Sequence, residues 1–223
     1  MPQTPLLRLL FVPVAAAVLL TSCGGEDTAE PTTTTTTEPA SQYGSSMGTE
    51  PGDVADVAAL GDGPAEGETW EIPVGLSICG RFVDVPAGDE VNGVTAGPVS
   101  AAVAGGAGEE LPTLGDFAES AGIGLAAGRL SMPDDIVPPE LDNTDPPTPL
   151  AGTTFATGDL CGETPGEVQL WVYSTDARES GDGILVVTQD LANVPFSQDG
   201  MAVVVAFTPE SSLPTLPPSA MGG

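Results

Sequence analysis

The sequence predicts an α+β domain, a small mixed or antiparallel sheet with one main helix, preceded by a disordered amino-terminal tether. Three observations predict it. Trp70, Ile72, Val74, Leu76 and Ile78 recur at every second position, the alternation that buries one face of a strand. Apolar runs at 168–172, 184–187 and 201–207, separated by Asp- and Gly-rich turns, read as three further strands. Leu114, Phe117, Ala118 and Ala121 fall at helical spacing. The chain divides into a signal peptide (1–22), a tether (23–67), one domain (68–209) and an extended Pro-rich tail (210–223).

Taken in order, residues 9–20 are almost wholly apolar and Arg8 is the one charge before them, the pattern of a targeting segment. The run is too short for a permanent membrane span, which needs about 20 apolar residues. It ends in Leu20-Thr21-Ser22-Cys23-Gly24, the lipobox pattern in which small residues admit the peptidase and the Cys23 thiol accepts a diacylglycerol. The alternative is an ordinary secretory signal with a chance cysteine. Each buried methylene of an acyl chain adds about 0.8 kcal/mol, so several chains on Cys23 make a durable anchor. The expected address is the extracytoplasmic face of the cell membrane, with the lipid bilayer itself as first partner.

From Gly24 to Pro64 the composition is Thr, Glu, Pro, Gly, Ser and Asp, including the threonine run 32–37. Such a segment buries too little surface to offset the entropy of ordering, so it reads as a stalk; the apolar patch 54–60 is assigned to it too. After the strand at 70–78, residues 91–103 are expected to pair back as a hairpin. Thr113 is the expected cap and Gly122 the expected stop of the helix at 111–121. Residues 123–130 read as another strand. Residues 133–149 hold Pro138, Pro139, Pro146, Pro147 and Pro149 among acids, and so read as a surface excursion.

Beyond Cys23 the cysteines are Cys79 and Cys161. In an oxidising compartment two thiols in one small domain are expected to pair, with two buried free thiols as the alternative. The loop so closed is long, and the chain-entropy model gives it about 4 kcal/mol of stabilisation.

The chain carries 32 Asp and Glu against 4 Lys and Arg, a formal charge of −28, and no histidine. All four basic residues are arginine, and Arg8 leaves with the leader. This balance repels nucleic acid and anionic headgroups. A hydroxyl or thiol nucleophile needs a base such as histidine or lysine beside it, and the chain has neither. No enzymatic activity, no cofactor and no catalytic residue is therefore expected. Two other readings stay open: a calcium-responsive protein, using Asp176, Glu179 and Asp182 or Asp142, Asn143 and Asp145, and a hydrolase of wall glycans working with two carboxylates. Trp171 and Tyr173 share one strand face; they read as core, or as a candidate surface contact for a protein or glycan.

Glu68-Thr69-Trp70-Glu71-Ile72-Pro73-Val74-Gly75-Leu76-Ser77-Ile78-Cys79, Gly93-Val94-Thr95, Thr113-Leu114-Gly115-Asp116-Phe117, Cys161 and the closing strand from Gly200-Met201 to Phe207-Thr208-Pro209 resemble a family of uncharacterised exported actinobacterial proteins, lipoproteins among them. The likeness spans most of 70–219. It implies a hairpin, a helix and further strands in a sheet similar to a β-grasp, and it implies no activity. Where that family carries histidines, candidate metal ligands, this chain has Thr69, Glu71 and Thr95; it resembles a histidine-depleted member. Taken together, these observations lead to the expectation of a membrane-anchored interaction or accessory module with a protein partner in the cell envelope.

Overall fold

The computed structural model describes residues 48–106, 110–136 and 150–221, all within the compact unit that runs from Gly44 to the carboxy terminus. Cys23, the leader and the first part of the tether lie outside them, as do Asp142, Asn143 and Asp145.

The elements in chain order are β1 (Gly48–Pro51), α1 (Val54–Ala58), β2 (Thr69–Ile78), β3 (Arg81–Val83), β4 (Val94–Ala96), β5 (Ser100–Ala104), α2 (Leu114–Ser120), β6 (Gly124–Ala126), β7 (Arg129–Ser131), β8 (Thr154–Ala156), β9 (Leu160–Cys161), β10 (Thr164–Tyr173), α3 (Thr175–Ser180), β11 (Asp182–Val187) and β12 (Ala202–Pro209). The main sheet runs β1-β11-β10-β12-β2-β5-β4, with β3 on the second half of β2 and β9 on the start of β10. It is mixed: β1 with β11 and β12 with β2 are parallel, and the other pairs are antiparallel. Strands β6, β7 and β8 form a separate small sheet.

The alternation read from the sequence sets the layers. Val74, Leu76 and Ile78 of β2, Val168, Leu170 and Val172 of β10, and Val203, Val205 and Phe207 of β12 all face one core. Helix α2 closes that core with Leu114, Phe117 and Ala118. The expected cap is present: Thr113 Oγ1 accepts from Asp116 N at 3.3 Å, Asp116 Oδ2 accepts from Thr113 N at 2.7 Å, and Gly122 follows at φ 69°. Phe155 of β8 stacks on Phe207 with centroids 5.0 Å apart, which joins the small sheet to the main one.

Two expected strands are each split. Residues 91–103 form β4 and β5 because Gly97 and Pro98 break the run; β5 pairs antiparallel with β2 as expected, but the hairpins are β2–β3 and β4–β5. Residues 123–130 bend at Gly128, φ 63°, into β6 and β7. The disulfide expected between Cys79 and Cys161 is formed, with Cα atoms 5.4 Å apart. Cys79 (φ 51°) and Gly80 (φ 79°) make the two-residue turn between β2 and β3; both central residues of this hairpin turn are left-handed.

The boundary expected at residue 68 is corrected, among the described residues, to residue 48. Residues 48–67 are part of the fold: β1 pairs with β11, and Asp53 caps α1 by accepting from Ala55 N and Asp56 N. Val57 is fully buried, and Ser197 Oγ donates to its carbonyl at 2.6 Å. Composition misled because one valine and one capped turn suffice when a core is already there to receive them. Val57→Ala is expected to cost about 2 kcal/mol, read as a shift of the urea midpoint. A tether residue would give no shift.

The tail is likewise corrected. It is extended to Pro217, then turns through a 3₁₀ segment, Pro218–Ala220, and it packs on the second face of the sheet with Pro214 and Pro217 buried.

Candidate functional site

An open groove of about 910 Å³ lies beside the start of α2. Five segments build it: α1 through Val54 and Ala58, the turn at Glu90, Asn92 and Gly93, the end of β5 through Gly106, the approach to α2 at Glu110–Thr113, and Asn193 with Pro195. Backbone bonds hold the far wall. Phe196 N donates to Pro112 O at 2.8 Å and Leu114 N to Val194 O at 2.8 Å. Asn92 (φ 48°) and Gly93 (φ 82°) form a tight turn between Val91 and Val94, a conformation that Asn-Gly suits.

Three carboxylates line the groove, Glu90, Glu110 and Asp116. Asp116 is committed elsewhere: Oδ2 holds the cap of α2, accepting also from Thr113 Oγ1 at 2.8 Å, and Oδ1 accepts from Asn92 Nδ2 at 2.7 Å. Asp116 therefore fixes the groove's shape and ties the turn to the helix. Glu90, Glu110 and Asn193 remain as outward-facing polar groups.

The residues singled out from the sequence are dispersed. Trp171 and Tyr173 are 2% and 1% exposed, which corrects the candidate surface contact. They lie in a second core with Ile184, Val204 and Ala177 of α3, and the tail's Leu216 and Ala220 pack against it. A covering segment that is remote in sequence decides this burial. The Tyr173 phenol has no hydrogen-bond partner among the described residues, and burial pushes its pKa up from the usual 10.0. Because the folded value is the higher, its neutral form favours the folded state below pH 10 and that contribution drains away above it. Tyr173→Phe is expected to flatten the loss of stability between pH 10 and 11 while leaving neutral pH stability equal or higher, in urea titrations at each pH.

Asp176, Glu179 and Asp182 are not gathered into a set that could hold a metal ion; among the described residues no such group of His, Cys, Asp or Glu occurs. Asp182 instead accepts from Gly48 N at 3.3 Å. Thr69, Glu71 and Thr95 do come together, on the outer face of β2, β5 and β4, lining an open shelf of about 380 Å³ where Ser100 Oγ donates to Glu71 Oε1 at 3.2 Å.

The groove was missed in the sequence because its lining comes from five separated segments of small and polar residues. The Asn92-Gly93 turn and the Thr113 cap were its local signals. No helix among the described residues is long and apolar enough to cross a membrane. Comparisons of the chain with protein-family models, with curated proteins and with solved structures found no match.

Proposed function

We propose that the protein is a lipid-anchored, non-enzymatic interaction module on the extracytoplasmic face of the cell membrane, and that the groove beside α2 receives a protein partner in the envelope. The observation that carries this reading is the groove itself, an open concavity of about 910 Å³ whose best-held carboxylate is spent on a helix cap. With both Cys79 and Cys161 in a disulfide and no histidine or lysine in the chain, its polar groups are suited to recognition.

Twenty-four residues separate Cys23 from Gly48. Chain of that length reaches at most about 85 Å, enough for a lipidated Cys23 to leave the domain free to meet a partner away from the bilayer. The proposed membership in the exported actinobacterial family belongs to the same reading, as does a β-grasp-like sheet. In support of the latter, β2 and β12 are parallel neighbours, the antiparallel β2–β5 pair precedes α2, and β10 flanks β12.

The test uses the full chain in its native membrane. Cys23→Ala is expected to abolish acyl labelling and to release the protein from the membrane fraction. In pull-downs from detergent-solubilised envelopes, Glu90→Arg with Asn193→Trp is expected to lose a partner that the unaltered chain retains. Persistent recovery of no partner, or equal recovery with the groove altered, would retire the reading. Glu90 and Glu110 in one groove favour, as a second reading, a carboxylate hydrolase of wall glycans. That reading requires glycan cleavage that disappears in Glu90→Gln or Glu110→Gln.

A further inference from the structure

The second face of the main sheet has an unusual floor. Along β12 it presents Ala202, Val204 and Ala206, flanked by Gly75 and Ser77 of β2 on one side and by Gln169, Trp171 and Tyr173 of β10 on the other. In register, Ser77, Ala206 and Gln169 lie side by side, and so do Gly75, Val204 and Trp171. Small residues between larger ones leave a channel, with Phe82 standing beside Ser77 as a further aromatic wall.

The carboxy-terminal strap lies on this face. It turns back where Ser212 N donates to Pro209 O at 2.9 Å, and it brings Pro217 so close that a Cβ on Gly75 would stand 2.9 Å from Pro217 Cβ. Its sequence, Pro214-Thr215-Leu216-Pro217, has the P-x-x-P spacing, and Pro217 has the polyproline dihedrals φ −62° and ψ 146°. The strap pairs with no strand among the described residues. Its ties are few: Thr208 Oγ1 with Ser212 Oγ at 2.7 Å, Ser219 Oγ to Val99 O at 2.8 Å, and Arg178 Nη2 to Ala220 O at 3.2 Å.

Under this cover, polar groups are left unmet. Ser77 Oγ, Gln169 Nε2 and Tyr173 Oη are all buried without a hydrogen-bond partner among the described residues, on side chains no more than 4% exposed. Trp171 Nε1 donates to Gln169 Oε1 at 3.1 Å, which fixes the amide. An unmet buried donor is costly, so the strap fills the channel without satisfying it. Proline-rich peptides suit such a place: their rings pack among aromatic side chains, and their carbonyls accept from donors on the receptor.

We propose that this face is a binding channel for an extended proline-rich peptide, which the strap occupies in cis as a built-in competitor. An incoming segment of P-x-x-P type displaces the strap and accepts from Gln169 Nε2 and Tyr173 Oη. Past Ser219 the same face continues, uncovered, as the shelf at Glu71, Thr95 and Ser100, which gives a longer peptide room to extend. The inference stands whether or not the groove beside α2 has a partner.

The test is fluorescence anisotropy of a labelled synthetic decapeptide that carries one P-x-x-P segment and differs in sequence from the strap, titrated with the full chain. A cis competitor lowers apparent affinity by the fraction of time the channel is open. Leu216→Asp with Pro217→Asp, which loosens the strap, is therefore expected to bind the peptide at least about tenfold more tightly than the unaltered chain. Adding Gln169→Leu should reverse that gain, a peptide with both prolines replaced by alanine should not bind, and Glu90→Arg in the other groove should change nothing. A strap variant that keeps its circular dichroism spectrum and its disulfide yet ignores the peptide overturns the proposal. Should that variant unfold, hydrogen exchange on the unaltered chain decides: Leu216 and Ala220 amides are expected to exchange through local opening, at least about 100-fold faster than β12. Exchange of both only through global unfolding overturns the proposal equally.

Discussion

Reduction of the Cys79–Cys161 disulfide, or Cys79→Ser with Cys161→Ser, is expected to lower the stability of the domain by about 4 kcal/mol. The bridge spans 82 residues, and in the chain-entropy model a loop of that length restricts the unfolded chain by an amount between the values for about 15 and 100 residues, close to the upper one. Its position adds to this. Cys79 sits in the left-handed turn between β2 and β3, and Cys161 ends β9, so the bridge clamps two hairpins that the main chain brings together only through β12. Cys79 N donates to Phe207 O at 2.7 Å, and without the bridge that turn loses its anchor. For a domain of this size the melting temperature should fall by roughly 8–16 °C. Urea unfolding with and without reductant measures it, and a difference under about 1 kcal/mol would show that the reduced unfolded chain is already restricted.

Phe207→Ala is expected to be comparably severe, at about 3–5 kcal/mol. The ring is fully buried in β12, between Val168 of β10 and Ile78 of β2. It carries the stacking contact with Phe155, worth about 1 kcal/mol beyond its area. A Cβ on Gly166 would meet the ring at 2.6 Å, so that glycine exists in contact with this phenylalanine. Truncation leaves a cavity where the small sheet meets the large one. Phe207→Leu should recover more than half of the loss, and protection of Leu130 and Phe155 amides should fall before that of β10. A loss under about 1.5 kcal/mol for Phe207→Ala would mean that the small sheet is held by other contacts.

What could be read from the sequence follows from how local the determining physics is. The cap of α2 was legible because Thr113 and Gly122 act on backbone groups within one turn of themselves; Asp116, which completes the capping box, was not singled out. Strand β2 was legible because its apolar residues alternate, and β10 and β12 because each is an apolar run bounded by turn residues; covered on both faces, they meet in register over eight residue pairs. The amino-terminal segment 48–67 was not, since its place depends on β11 supplying an edge and on Ser197 reaching Val57 across 140 residues. Trp171 and Tyr173 show the same limit from the other side. Their shared face was clear, and what covers it was not, because the cover is a tail whose prolines say only that it is no helix or inner strand. The groove lies at the far end of this scale: of its lining, only the Thr113 cap and the Asn92-Gly93 turn carry a local signal.

The parallel edge formed by β1 also bears on how closely copies of the chain can approach one another without sticking. Strand β11 carries Ile184-Leu185-Val186-Val187, an uncharged run rich in β-branched residues whose free edge would template pairing with a neighbouring chain. Strand β1 lies along it, four residues long, exposed, and ending in Glu50 and Pro51, a charge and a residue with no N–H to offer a newcomer. The stretch that composition assigns to a stalk is thus the guard of the sheet's most adhesive margin, and a protein trimmed to begin at residue 68 would lose its defence against aggregation.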